Sequence, residues 1–187
     1  MVINMDKSWV GEVYHKILEK EKKVAERSRD KIPYTTKNGV FDDRGKTEIC
    51  WWTNGFWGGI MWQLYHATGD PVYLENALAT EIKLDANLMN RQGMDHDSGF
   101  KWLPTSVAHY HVTGDMASRN RALLAADNLA GRFHPVGKFI RAWNNWDGNE
   151  DGSFAGRAII DCMMNLPLLY WAGDEIHDPR FYHIAKM

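Results

Sequence analysis

Three short segments of this 187-residue chain share one pattern and limit its fold more than any other feature. Ala67-Thr68-Gly69-Asp70, Val112-Thr113-Gly114-Asp115 and Ala172-Gly173-Asp174 each follow an apolar stretch with helical spacing. Glycine ends a helix in the left-handed conformation without a steric penalty, and aspartate caps the next helix or stands near its start. Each segment is therefore expected to join one helix to the next. The helix before each turn is the more apolar one, and the first two turns lead into more polar helices. Inner helices lining a core and outer helices covering them produce that asymmetry, so the expected fold is all-α, an α/α toroid. The third hairpin is incomplete at Met187, and residues 1–187 are expected to form a single partial domain of a larger ring.

Caps and periodicity place the elements. Ser8 to Ser28 spaces Trp9, Val10, Val13, Tyr14, Ile17 and Leu18 as an amphipathic surface helix, and Pro33 to Glu48 reads as loop. The segment from Trp51 runs into a helix that ends near Gly69. Asp70-Pro71 then starts a helix to about Met89, with Leu74, Leu78, Ile82 and Leu88 as its apolar contacts. After a loop at Gly93–Phe100, Pro104 is expected to open a helix ending near Gly114, and Asp115 to cap another reaching about Arg132. Phe133 to Gly156 is a long loop, of a length that is usually functional. The Asp161 stretch should form a buried helix closing near Gly173-Asp174, and a last helix begins at Asp178-Pro179. No strand-forming alternation of any length competes. The long loops precede the inner helices, where an active-site rim would form.

Composition excludes more than it selects. With 44% hydrophobic residues the chain can build one real core, and a net charge of −2 without a basic cluster points to neither nucleic acid nor a membrane surface. Cys50 and Cys162 lack metal-ligand spacing and read as free thiols of a reducing cytoplasm. The polar start from Asn4 to Ser8 has no apolar signal core. Nine tryptophans suit sugar rings, which are apolar on their C–H faces, and suit a protein core equally well.

Residues 157–171 form an apolar run holding a single acid, Asp161, with Asn165 four positions on. Burial of a carboxyl raises its pKa toward the range useful for acid–base work. Asn165 on the same helix face would orient it. The alternatives are a cap for a helix starting at Cys162 or an ion pair with Arg157. Asp97 stands beside His96 and Asp95 just before another inner helix. A metal ligand, a turn or cap residue, and a catalytic carboxylate are its three readings. Asp97 and Asp161 would face one cavity from successive hairpins, and paired carboxylates divide labour in many sugar-cleaving sites. His109 and His111 diverge on their helix. Trp143 and Trp146 offer either an aromatic wall for a sugar or a packed loop lid.

Trp52-Thr53-Asn54-Gly55-Phe56-Trp57-Gly58-Gly59, His96-Asp97-Ser98-Gly99-Phe100 and Ile159-Ile160-Asp161-Cys162-Met163-Met164-Asn165-Leu166-Pro167-Leu168-Leu169 occur in this order. Together they resemble the signature segments of the unsaturated glucuronyl hydrolases, glycoside hydrolase family 88. The related unsaturated rhamnogalacturonyl hydrolases match the last segment less closely. The resemblance implies an (α/α)6 barrel, a six-hairpin toroid, of which this chain is roughly the first half. It implies hydration of the vinyl ether in a 4,5-unsaturated uronic acid, at the non-reducing end of glycosaminoglycan-derived oligosaccharides left by polysaccharide lyases. No cofactor and no metal are implied. In its terms Asp161 looks like the general acid and base, and Asp97 like the second essential aspartate. His96, Trp52 and Trp143 look like substrate contacts. Arg141 and Arg157 are candidates for the substrate carboxylate, though surface ion pairs account for them as well. Members are about twice as long, which leaves open an inactive sugar- or partner-binding remnant, with self-association through exposed half-barrel faces.

Overall fold

The computed structural model of the chain describes residues 7–145 and 152–187. A long helix α1 (Lys7–Arg27) is followed by a minimal hairpin of β1 (Thr36–Lys37) and β2 (Val40–Phe41), in which Thr36 pairs with Phe41 and Lys37 with Val40. A single turn α2 (Arg44–Thr47) leads to the helical hairpin α3 (Asn54–Thr68) and α4 (Pro71–Met89). The next inner path is continuous: α5 (Ser98–Trp102), a π-helical turn (Leu103–Val107) and α6 (Ala108–Thr113), backed by α7 (Met116–Ala130). A second minimal hairpin of β3 (Phe133–His134) and β4 (Phe139–Ile140) stands inside the long loop that was expected to lack strands. A 3-10 turn (Ile160–Met164) then precedes α8 (Leu166–Ile176) and α9 (Pro179–Lys186).

The inner helices α3, α5–α6 and α8 lie side by side, and α4, α7 and α9 pack behind them. These are three hairpins of an α/α toroid. The first two turns form as their residues dictate. Gly69 and Gly114 adopt left-handed φ values of 70° and 77°, and Asp70 and Asp115 cap the following helices through Val72 N at 3.1 Å and Ser118 N at 2.7 Å. The third turn lies four residues later than expected. Gly173 and Asp174 stay inside α8, and His177 takes the left-handed position (φ 56°) before the Asp178 cap. Gly173 instead admits α9, since a Cβ there would lie 2.9 Å from the Tyr182 ring.

Two further expectations are corrected. Pro104 does not open a helix. It falls within the π-helical turn, where its missing N–H is accommodated by the widened backbone path. On α4 the buried face is Val72, Tyr73, Asn76, Ala77, Thr80, Glu81, Leu84, Asn87 and Leu88, and Ile82 is 70% exposed. Polar side chains displace it because that face meets a polar seam between two apolar clusters. One cluster joins Val24, Ala25, Ile32, Trp57, Met61, Trp62 and Tyr73, and the other gathers Leu84, Trp102, Leu129, Leu168, Leu169 and Phe181. In the seam, Glu81 accepts from Ser118 at 2.9 Å, and His109 Nδ1 lies 2.8 Å from its carboxylate while its ring stacks on Trp62. Arg121 closes the network, 3.5 Å from Glu81 and bidentate on Asp85 at 2.5 and 3.0 Å. Burial alone would raise the Glu81 pKa, but the His109, Ser118 and Arg121 contacts outweigh it and hold the carboxyl below its usual value. On α1, Trp9, Val10, Tyr14 and Ile17 remain exposed, and only Val24 and Ala25 are buried.

Candidate active site

The loop before α5 carries the first half of the site. Asp95 Oδ1 accepts from Asp97 N at 3.0 Å, which bends the chain so that His96 and Asp97 point inward. Asp97 occupies the cap position of α5, yet its side chain makes no capping hydrogen bond, so the ordinary turn-and-cap role does not consume the carboxylate. The loop is held from the other side by residues 141–144. His96 N donates to Ala142 O at 3.3 Å, and Asn144 Nδ2 donates to Met94 O at 2.8 Å. Arg132, in the turn after α7, ties these segments together by donating to the carbonyls of Met94, Arg141 and Ala142 and to Asn144 Oδ1.

The second half comes from the turn before α8. Asn165 is fully buried and accepts from Phe100 N at 3.0 Å, while its amide lies 3.5 Å from the carbonyl of Asp161. A Cβ on Gly99 would sit 2.4 Å from Asn165 Cα, so this close approach of α5 to α8 requires glycine. The approach brings the acids together. His96 Nε2 lies 3.4 Å from Asp97 Oδ1 and 3.5 Å from Asp161 Oδ1, and one atom from each of the three residues falls within a 4.8 Å span.

Their environments differ. His96 is fully buried and Asp97 8% exposed, whereas the Asp161 side chain is 42% exposed. Burial, then the charges of Asp95 and Asp161, raise the Asp97 carboxyl to about 7, against the opposing pull of Lys101 and a hydrogen bond from Asn165. Burial lowers the His96 pKa more than Asp161 and Asp95 raise it, so its imidazole stays neutral more readily. The spacing of His96, Asp97 and Asp161 would span a cation. However, His96 Nδ1 has no hydrogen-bond partner among the described residues, whereas a metal-held histidine normally donates its second N–H to an acceptor. His96 Nε2, Asp97 Oδ1 and Asp161 Oδ1 likewise have no hydrogen-bond partner among the described residues, so the arrangement is two carboxyl groups flanking a largely neutral imidazole, with polar atoms left for a bound molecule.

Sequence reasoning placed the acids in one site but misjudged which one is buried. Asp161 is not within a buried helix. It lies on the 3-10 turn, whose Ile160, Met163 and Met164 are 87%, 62% and 60% exposed. Asp161 is neither a helix cap nor paired with Arg157, whose guanidinium donates to Ser153 O and lies over the Phe154 ring. Arg141 donates to Trp143 O and Asn145 Oδ1. Trp52 is 38% exposed and meets Phe56 and Phe100 edge-on at 5.7 and 5.3 Å, forming an aromatic shelf next to the Asp97 helix. Trp143 packs edge-on against Phe154 at 5.4 Å, and Trp146 lies outside the described residues. His109 serves the Glu81 network while His111 is exposed. A concavity of about 910 Å³, lined by Arg91, Leu124, Arg132, His134 and Phe139 among others, contains none of the three central residues. Lys101 and Arg132 are site residues that the sequence does not reveal, because a charged residue gives no sign in sequence that it will turn inward.

No family model matches the sequence. The unsaturated glucuronyl hydrolase of Bacillus sp. (strain GL1) is 40% identical over 136 residues, covering 72% of this chain and 35% of that protein. Its crystal structure, described as that of an enzyme responsible for the degradation of glycosaminoglycan, matches with a TM-score of 0.73 and 34% identity over 87% of this chain and 44% of its own. The unsaturated chondroitin disaccharide hydrolase of Streptococcus pneumoniae (strain ATCC BAA-255 / R6) is 31% identical over 184 residues, 97% of this chain and 45% of that protein. A complex of an unsaturated glucuronyl hydrolase variant with dGlcA-Glc-Rha-Glc matches with a TM-score of 0.77 and 34% identity, over 90% of this chain and 44% of that one. The chain thus spans less than half the length of these relatives.

Proposed function

The chain belongs to the unsaturated glucuronyl hydrolase family, and from that premise we propose that it carries the proton-transfer centre of such an enzyme. The proposed substrates are glycosaminoglycan-derived oligosaccharides ending in a 4,5-unsaturated uronic acid. The observation that carries this reading is the pair of carboxyl groups that flank His96, one buried and one open to solvent. Asp161, the accessible member, is the proposed donor of a proton to C4 of the vinyl ether. The oxocarbenium character this creates at C5 is quenched by water, whose proton returns to Asp161, and the hemiketal formed then opens to release the sugar. Asp97 is the proposed partner that hydrogen-bonds the ring hydroxyls. With its ionisation near 7 it exists in both protonation states at neutral pH. His96 lies beneath both acids, and its proposed role is to hold their carboxyls toward one reacting ring. Trp52 and Trp143 are the proposed aromatic contacts.

Relatives named for unsaturated rhamnogalacturonyl substrates are not among those described above, and that alternative is not favoured. The second reading is a sugar- or partner-binding remnant without turnover. The two readings separate in one experiment. Incubated with an unsaturated chondroitin disaccharide, the chain should abolish the ultraviolet absorbance of the double bond, and Asp161→Asn should slow this by at least about 100-fold. Undiminished turnover in the Asn variant would remove Asp161 from the mechanism. Saturable binding without turnover by the unsubstituted chain would establish the remnant reading instead. Residues 1–187 as one partial domain and a cytoplasmic location form part of the same proposal. The location draws support from two free, half-buried cysteines, and no described helix is long and apolar enough to cross a membrane.

A further inference from the structure

Lys101 is among the largest side chains with no exposed surface at all. A lysine is rarely buried unless its charge is used, because desolvating an ammonium costs several kcal/mol. Its Nζ donates to Asn87 Oδ1 at 2.9 Å and to Cys50 O at 3.3 Å, which ties the end of α4 and the loop before α3 to α5. Both acceptors are neutral. The nearest carboxylate is Asp95, whose Oδ1 lies 4.0 Å from Nζ and is the same oxygen that accepts from the backbone N–H of Asp97. One ammonium therefore stands beside the oxygen that bends the site loop.

We propose that Lys101 is a positioning residue of the site: its buried ammonium fixes Asp95, which braces the Asp97 backbone, and it supplies the positive charge against which Asp97 ionises. The charges around Asp97 leave few other candidates for that task. Asp95 and Asp161 are acidic, and Cys162, on the turn of Asp161, has its thiol pushed up to about 11 by burial and by the charges of Asp161 and Asp97. His96 is held toward the neutral state. Arg132, in the turn after α7, also acts on Asp95 and Asp97, and its guanidinium is committed to the carbonyls of Met94, Arg141 and Ala142. Lys101 is itself disfavoured by burial and sustained by Asp95 and then Asp97, so the dependence is mutual.

The inference rests on the reading of Asp97 as a site residue, and its test avoids turnover so that the two can fail separately. In the full chain labelled with carboxyl-13C aspartate, the Asp97 resonance, assigned by its loss in Asp97→Asn, is followed against pH. Lys101→Met, which keeps the length of the side chain, should tighten proton binding by Asp97 at least about threefold, and Lys101→Arg should restore it toward the original value. An Asp97 midpoint unchanged in a folded Lys101→Met chain overturns the proposal, since a merely structural lysine would leave it unmoved. Should Lys101→Met fail to fold, the Nζ resonance of Lys101 in the unsubstituted chain decides. It should step at the midpoint of Asp97 and the step should change in Asp95→Asn, and a resonance blind to Asp97 overturns the proposal equally.

Discussion

Asp97 and Asp161 bear the same functional group, and the positions of their neighbours' side chains divide them. Asp161 has the more apolar sequence surroundings, yet Ile160, Met163 and Met164 turn outward and leave it half-exposed. Asp97 has polar neighbours in sequence and is nearly buried, because α8 and the 141–144 segment close over its loop. The resulting ionisation near 7 has a consequence for stability. An unfolded aspartate titrates near 3.8, so between that value and about 7 the native state binds more protons than the unfolded one. Stability from this group is therefore full in acid and declines as pH rises through that window. Asp97→Asn cannot ionise, so it should match the original chain near pH 4 and exceed it at pH 8 by on the order of 1–4 kcal/mol. Thermal melts at the two pH values check this, and equal differences at both would show that Asp97 is not held protonated by the fold.

Among the elements, the helical hairpins were the most legible part. A glycine followed by aspartate specifies its own turn through local stereochemistry, and both Gly69-Asp70 and Gly114-Asp115 form it. Ala172-Gly173-Asp174 has the same letters and stays helical, because packing against Tyr182 uses the missing Cβ differently. The polar seam could not be read from periodicity. The Glu81 network pins outer helices α4 and α7 to inner helix α6, and each of its members looks like a surface residue in sequence. Glu81→Ala should destabilise the chain by about 3–5 kcal/mol at neutral pH, since Arg121 and His109 would lose the anion they are buried around. The carboxyl of Glu81 is held below its usual 4.5, so its contribution is complete above that pH and fades as pH falls through the lower native value. The deficit of the variant should shrink accordingly in acid. A deficit that persists undiminished at low pH would mean that packing, and not charge, dominates the seam.

At the scale of the molecule, three hairpins bury their contacts with one another and leave other apolar side chains uncovered. Trp9, Val10, Tyr14 and Ile17 on α1 and Ile160, Met163 and Met164 beside the site are exposed. Exposed apolar side chains favour association where they gather into a patch. The chain by itself should therefore elute in size-exclusion chromatography as a species larger than a monomer, increasingly so at higher concentration. A concentration-independent monomer would show that these side chains are too scattered to act as a surface.

What the sequence by itself determined is whatever depends on neighbours a few residues away: the helices, their caps, the first two turns, and the segments that identify the family. Those features follow from backbone stereochemistry and side-chain periodicity, which act at short range. Only the tertiary structure decided which aspartate is buried, that Asn165 clamps the Asp97 helix, and that Lys101 and Arg132 lie within the site. Desolvation and charge pairing depend on which surfaces the fold brings together, as it does Phe100 and Asn165 at a separation of 65, and no local pattern encodes that meeting.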